Sequence, residues 1–534
     1  MTGADTKAAK PRPGTIGGVV GAPVAARADA LVERAVTGPD AESVTMTAPF
    51  TGLRTAVLPQ ISDESTRAAF ARARRAQPSW AATSVAHRQR VLRRLHELVL
   101  SRQKEGLDLI QVEAGKARLD AFDEISATAL VADYYGRHSA RLLAPRRAPG
   151  ALPVLTRATH TRQPRGVVGV ISPWNYPLAL TAMDVLPALA AGNTVVQKPD
   201  NQTALSALWL HELAGEAGLP RDAWQIVLGR GSVIGDAIVD ESDYLCFTGS
   251  TPTGKRLATA VAGRLTGYSL ELGGKNPMIV LQDADVVKAA AGAVSACFAS
   301  AGQLCVSVER IYVHESVRRR FLAEFARRAN ALVMGGSLDY HADMGSLTTP
   351  EQLRAVSAHV DDARAHGATV VAGGNPRPDV GPLFYEPTIL TDVPPTAAAF
   401  ADETFGPVVS VYGFTDVEDA IARANETAYG LNASVWSRDT RRARHVATRL
   451  KAGTVNVNEG YAATFGTVAV PMGGMKESGV GRRNGPEGLL KYTESQSIAV
   501  QKGIRLRPPR AIPGAVWTAA LTAGLRLLRR LPGR

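Results

Sequence analysis

Cysteine is scarce in this chain: Cys246, Cys297 and Cys305 are the three in 534 residues. An odd number spread so thinly does not make a disulfide framework, and it fits a reducing compartment such as the cytoplasm. Long apolar runs are missing as well. None approaches the ~20 residues that a membrane-spanning helix needs, and glycine and proline interrupt the segment from Lys7 to Gly21 too often for the core of a signal peptide. No Gly-x-Gly-x-x-Gly turn follows the first expected strand, so the standard dinucleotide fingerprint is absent. Short-period repeats are absent too, and no low-complexity tract lies beyond the termini.

What is present is the composition of an enzyme. Hydrophobic residues make up 45% and charged ones 21%, which excludes a disordered or fibrous chain. The length exceeds what one core supports, so two large lobes are expected. The balance of 61 Lys+Arg against 49 Asp+Glu leaves +12, a charge that can attract anionic partners. Runs such as Arg88-Gln-Arg-Val-Leu-Arg-Arg-Leu95 read as solvated helix faces, however, and no nucleic-acid motif accompanies them. At the C-terminus Ile512–Trp517 leads into a basic, partly amphipathic stretch to Leu531, which reads as a helix docked on a neighbouring subunit, as a frayed tail, or as a surface for peripheral contact with an anionic membrane.

A Gly/Ala/Pro-rich tail is expected to about Glu42, followed by helical periodicity from Glu64 to Tyr135. From Gly166 the texture changes to short β-rich runs at Val167–Ile171, Thr194–Gln197, Gln225–Leu228 and Tyr244–Phe247, separated by helix-length segments. This alternation predicts βαβ units and a parallel sheet. A second α/β region begins with a strand at Met278–Leu281. It continues with a helix near Val286–Ser300, a strand at Arg310–Val313, a helix through Val333 and a last strong strand at Gly453–Asn458.

Two segments carry the chemistry. In Phe298-Ala-Ser-Ala-Gly-Gln-Leu-Cys305 a thiol follows an apolar helix and a run of small residues. In Leu270-Glu-Leu-Gly-Gly-Lys-Asn-Pro277 the carboxylate of Glu271 ends a β-like run before a Gly-Gly turn. A nucleophilic thiol matched with a base is what covalent catalysis with a later hydrolytic step requires. A third segment, Ile171-Ser-Pro-Trp-Asn-Tyr-Pro177, holds Asn175 between two prolines, where a rigid amide makes a good oxyanion donor. Cys246 and Cys297 read as buried, inert thiols.

These segments resemble the signature stretches of the aldehyde dehydrogenase superfamily, from about Ala48 to about Ser497. The bacterial succinate-semialdehyde dehydrogenases are the branch most similar, through Gly302-Gln-Leu-Cys305 and Pro471-Met-Gly-Gly-Met475. The resemblance implies an α/β fold: a Rossmann-like cofactor domain, an α/β catalytic domain and a small β oligomerisation flap. The expected division is a flexible tail over 1–42 and an NAD(P)-binding domain over 43–275, with part of the flap near 144–163. A catalytic domain over 276–460, a return to cofactor domain and flap over 461–503, and a basic tail over 504–534 complete it. A homodimer or homotetramer follows from the family alone.

The resemblance also implies site roles. Cys305 is the nucleophile, Glu271 the base and Asn175 the oxyanion donor. Trp174, Asn175, Lys198, Pro199, Asp200, Asn201, Gly249, Ser250, Leu272, Glu403 and Phe405 are the implied cofactor contacts; no metal ligand is assigned. NAD-selective members often carry a glutamate where this chain has Asn201, and the neutral amide beside Lys198 favours NADP over NAD. Arginines that hold the substrate carboxylate in well-defined succinate-semialdehyde dehydrogenases are replaced here by Met183 and Ala299, so a neutral or longer apolar aldehyde stands beside succinate semialdehyde, with Tyr461–Phe465 lining the mouth. Three rivals are a CoA-acylating aldehyde dehydrogenase, which generally lacks the base, a cysteine hydrolase, for which His314 is the histidine near Cys305 in sequence, and a non-catalytic protein on the same fold, disfavoured because Asn175, Glu271 and Cys305 are all present.

Overall fold

The computed structural model describes residues 22–38, 41–150, 156–502 and 507–529. The expectations for 1–21, 503–506 and 530–534 lie outside the described residues. Two sheets organise the rest. The first has six strands in the order Gly479–Val480, Gly267–Glu271, Tyr244–Thr248, Val167–Ile171, Thr194–Lys198, Trp224–Ile226. All neighbours are parallel except the short Gly479–Val480. Helices cover its faces, so the central strands are buried and read as near-continuous apolar runs such as Val-Val-Gly-Val-Ile. The chain runs outward to one edge from Val167–Ile171 and to the other from Tyr244–Thr248. At such a reversal, a crevice opens beyond the carboxyl ends of the two strands.

The second sheet has seven strands in the order Thr369–Ala372, Thr388–Thr391, Val408–Phe414, Val308–His314, Asn276–Val280, Asn432–Trp436, Thr454–Val457. Only Thr369–Ala372 runs antiparallel to its neighbour. A separate three-stranded antiparallel sheet joins Thr493–Gln501, Thr156–Pro164 and Arg146–Pro149. The two stretches expected to form the flap, near 144–163 and within 461–503, thus pair with each other.

The helical stretch foreseen from Glu64 is four helices, Asp63–Ala82, Val85–Ser101, Gln103–Ala114 and Arg118–Leu143. Ser62 and Ser84 cap the first two by accepting from Ser65 N and His87 N, and Gly115 ends the third at φ 76°. The expected tail to Glu42 needs correction. Residues Ala22–Val32 form a helix, Ala28 and Leu31 are fully buried, and Arg27 pairs with Glu105 and Glu212. Its small apolar residues pack where the composition suggested only flexibility. Glu42–Thr47 then pairs with Arg54–Gln60 as an antiparallel hairpin. The helix expected over Val286–Ser300 stops at Phe298, because Ser300 and Ala301 sit at φ 52° and 53° and Gly302 at φ 71°, outside helical space.

Candidate active site

A cavity of about 290 Å3 lies at the reversal point of the six-stranded sheet. Pro173, Trp174 and Asn175 follow the end of Val167–Ile171, and Thr248, Gly249 and Ser250 sit at the end of Tyr244–Thr248. Glu271, Leu272 and Gly273 come from the end of Gly267–Glu271. The seven-stranded half supplies Cys305, on the loop leading into Val308–His314, and Glu403 with Phe405, just before Val408–Phe414. Thiol, carboxylate and amide nominated from three distant segments therefore share one cavity.

Local structure fixes each of them. Three successive left-handed residues, Ser300 to Gly302, turn the chain after the Val286–Phe298 helix and aim it at the cavity. A side chain at Gly302 would run into the Gly406 carbonyl. Ser300 N donates to Asp120 Oδ2 at 2.8 Å, and Ser300 and Tyr176 join their hydroxyls at 2.9 Å. The Cys305 carbonyl accepts from Asn276 Nδ2 at 2.8 Å, and Gly274 lets the neighbouring turn approach that carbonyl, where a Cβ would stand 2.7 Å away. Asn175 is 4% exposed and donates to the Gln303 carbonyl at 3.0 Å, which ties the amide to the cysteine loop and leaves its second N–H.

Burial sets the charge states. It pushes the Cys305 thiol up to about 12, helped by the Glu271 and Glu403 carboxyls and opposed by Arg483. Burial also lifts Glu271 to about 7, against the pull of Arg483 and Lys491. Its Oε1 is buried without a hydrogen-bond partner, a costly state for a group with only a structural task. Arg483 is itself held by the buried Asp184, whose carboxyl burial would raise but Arg483 and Lys491 keep well below the usual range. Burial raises Glu403 to about 8, and its Oε1 accepts from Gly274 N at 2.8 Å. Cys246 and Cys297 are buried more completely than Cys305, and burial pushes both of their thiols up as well.

The remaining nominated residues divide into two groups. Trp174 meets Phe405 edge-on with ring centres 5.5 Å apart, and Leu272, Gly249 and Ser250 line the cavity beside them. Ser250 occupies the position before the helix Thr251–Ala262, with its hydroxyl on Thr253 Oγ1 at 3.1 Å. Lys198, Pro199, Asp200 and Asn201 lie elsewhere, beyond the end of the adjacent strand Thr194–Lys198 and outside the cavity lining. There Lys198 is 9% exposed, with Nζ on the Pro199 carbonyl at 3.2 Å, and burial lowers its pKa. Asn201 donates to Gln60 Oε1 at 2.9 Å, while its own Oδ1 is buried and unpartnered.

A model of the aldehyde dehydrogenase family matches residues 36–498. The chain belongs to the aldehyde dehydrogenase family. A Mycolicibacterium smegmatis protein named, provisionally, a succinate-semialdehyde dehydrogenase for NADP(+) is 52% identical over 485 residues, which is 91% of this chain and 94% of that one. The Escherichia coli succinate-semialdehyde dehydrogenase for NADP(+) is 36% identical over 86% of this chain and 94% of its own. Among solved structures, an E. coli NADP-dependent enzyme superposes with a TM-score of 0.83 at 36% identity, covering 86% of this chain and 95% of that one. Betaine aldehyde dehydrogenase from Staphylococcus aureus, in complex with NAD+, superposes at 0.84 with 31% identity, covering 88% and 94%. The α/β architecture of this aldehyde dehydrogenase is thus shared along most of its length.

Sequence reasoning missed the residues that hold this aldehyde dehydrogenase's cavity in shape. Gln352 lines it and donates to the Thr404 and Phe405 carbonyls at 3.1 and 2.7 Å. Glu309 accepts from Thr404 N and Phe405 N, and the buried Glu309 and Lys275 pair at 2.6 Å. The Gly-Gly turn pointed toward Lys275. Nothing in the sequence around Gln352 marks it, since it is a surface-type residue in a helix, Pro350–Ala365, that is joined to the site only by folding.

Proposed function

We propose that this aldehyde dehydrogenase oxidises an aldehyde to its carboxylate with NADP(+) or NAD(+), through a covalent adduct on Cys305. The carrying observation is that Cys305, Glu271 and Asn175 line one cavity with Trp174, Glu403 and Phe405. Glu271 takes the proton of the Cys305 thiol as the sulfur adds to the aldehyde carbon and passes it on to solvent, while the free N–H of Asn175 and the Cys305 backbone N–H donate to the oxyanion. The nicotinamide, when bound, supplies the hydride acceptor that converts the adduct to a thioester. Glu271 then takes a proton from water as the water attacks the thioester carbon, the C–S bond breaks, and Cys305 departs as thiolate.

The residues present fit a dinucleotide. A buried, unpartnered Asn201 Oδ1 is an orphaned acceptor for a hydroxyl, and no carboxylate stands at that position to repel a 2′-phosphate beside Lys198. NADP(+) is therefore the favoured of the two, in line with the names of the relatives. Trp174 and Phe405 would flank the nicotinamide and Glu403 would hold its ribose. The same reading gives 43–275 to the cofactor, 276–460 to the thiol chemistry and 461–503 to the return strand and flap. The three-stranded sheet would join two or four chains in the cytoplasm.

For the substrate, the surroundings of Cys305 favour an uncharged aliphatic aldehyde. Met183 is fully buried, and it shares one apolar cluster with Tyr176, Leu180, Tyr461 and Phe465, against which Ala299 and Cys305 pack. Lys116, over the Tyr176 ring at 3.2 Å, is committed to Glu124 at 2.6 Å. Asp120 and Asp123 stand by it, Asp123 accepting from the Tyr461 hydroxyl at 3.3 Å. A substrate carboxylate there would be desolvated without a free cation. Succinate semialdehyde is the second reading, favoured by the relatives' names. CoA acylation is disfavoured by the buried, unpartnered Glu271, and a hydrolase by the cavity lining, which includes no histidine. His314 sits at the far end of its strand, on Ser316 and against Phe414.

The test is kcat/KM with NADP(+) for pentanal against succinate semialdehyde. A preference for pentanal by roughly tenfold, ~1.4 kcal/mol of barrier, is the expected result. The reverse preference would transfer the assignment to succinate semialdehyde and require a cation outside the apolar cluster.

A further inference from the structure

Beyond the three-stranded sheet the chain forms a helix, Gly514–Leu528, with no buried residue. Val516, Leu525 and Leu527 are 59%, 61% and 65% exposed. Helical spacing sorts the sequence into two faces. Thr518, Thr522, Arg526 and Arg529 recur every three or four residues along one, which Leu525 shares, while Val516, Trp517, Ala520, Leu521, Leu527 and Leu528 fill the opposite one. This segment lies outside the matched family region, which ends at residue 498, so the catalytic fold does not account for it. Its charge is one-sided: residues 502–534 contain one lysine, seven arginines and no carboxylate.

We infer that this helix docks the enzyme on an anionic lipid surface, lying in the plane of the interface. Fifteen residues extend about 22 Å, short of the ~30 Å hydrocarbon core, and among the described residues no helix is long and apolar enough to cross a membrane. An apolar face with threonine and arginine opposite is the pattern of an interfacial helix. Arginines at both ends of the segment, unbalanced by any carboxylate, match lipid phosphates better than a protein surface of mixed charge. Trp517 belongs to the apolar face near the helix start, at a position suited to the headgroup boundary.

The test is co-sedimentation of the full chain with phosphatidylglycerol-containing vesicles and with pure phosphatidylcholine vesicles, at low and high salt. Three variants accompany it: a chain ending at Gln501, Arg526→Glu with Arg529→Glu, and Leu521→Ser with Leu527→Ser. None touches the cavity, so soluble aldehyde oxidation reports folding independently. The full chain should bind anionic vesicles roughly tenfold better than neutral ones and lose this in salt. All three variants should lose it with activity intact. Equal binding to both vesicles, binding that survives removal of the segment, or no binding at all would overturn the inference. If the full chain fails to bind and truncation lowers its mass by light scattering, the helix docks on a second subunit instead.

Discussion

In the proposed cycle the charge state of the Glu271 carboxyl governs turnover. Burial lifts it to about 7, so at neutral pH a large share is already ionised and able to take a proton from water, whereas an ordinary exposed glutamate would be a far weaker base. Only the deprotonated form serves, so kcat should fall as pH drops below 7 and level off above it. Glu271→Gln should lose any rapid first turnover of cofactor reduction, because it removes the acceptor for both the thiol proton and the water proton. It should turn over about 10²–10⁴-fold more slowly and lose the limb near pH 7; stopped-flow absorbance reads both. A second expectation concerns the thiols. Cys305 is the partly exposed one of the three, so iodoacetamide on the native enzyme should label Cys305 alone, faster as pH rises toward its high pKa. Cys305→Ala should abolish both labelling, by mass spectrometry, and aldehyde-dependent cofactor reduction. These three chemical residues were legible because a reactive side chain in a small-residue or proline-framed segment announces itself locally. Gln352 and Arg483 were not, since each acts on the site through contacts that only the tertiary fold creates.

Between the residues and the whole stands the element that presents Asn175. The helix Pro177–Ala190 begins two residues later, and Glu124 receives its first amides, with Leu178 N at 2.9 Å and Ala179 N at 3.1 Å. Lys116 balances that carboxylate at 2.6 Å, the two side chains being 2% and 0% exposed. Removing one partner of such a pair leaves a buried charge uncompensated and typically costs about 3–5 kcal/mol. Lys116→Met should therefore lower stability by about that amount in urea titrations, and the double change Lys116→Met with Glu124→Gln should recover part of it. If Lys116→Met melts like the parent, the pair does not anchor this helix. Val167–Ile171, Thr194–Lys198, Trp224–Ile226 and Tyr244–Thr248 of the first sheet were readable to within a residue or two, because burial writes each as a largely apolar run, whereas the short, partly exposed Gly479–Val480 was not. Thr369–Ala372 and Thr388–Thr391 were not, being four residues each and defined by partners far along the chain. Of the residues assigned to cofactor, Lys198 to Asn201 came from resemblance alone, and no local pattern would have shown that they lie a strand away from the cavity.

At the scale of the molecule, the three-stranded sheet is the feature one subunit does not complete. Thr493–Gln501 pairs along its whole length with Thr156–Pro164, yet every residue after Thr493 is exposed, and Ile498 and Val500 are each 48% exposed. Its outer edge offers unpaired backbone groups, which natural proteins usually shield with charge, bulges or a covering element. Glu494 is the only charge on this strand, and among the described residues no further strand pairs with that edge. A stable single chain would thus carry an open edge and apolar side chains together. Association through the proposed flap would bury both, so light scattering should give the mass of two or four chains. Ile498→Lys with Val500→Lys places cations where a partner would pack, and should shift the mass toward one chain while leaving the cavity residues in place. Were the variant to keep the parent's mass, the sheet would not be the joining surface. Were it monomeric with unchanged kcat, assembly would serve stability rather than chemistry, in keeping with the presence of Cys305, Glu271 and Asn175 in the cavity of a single chain.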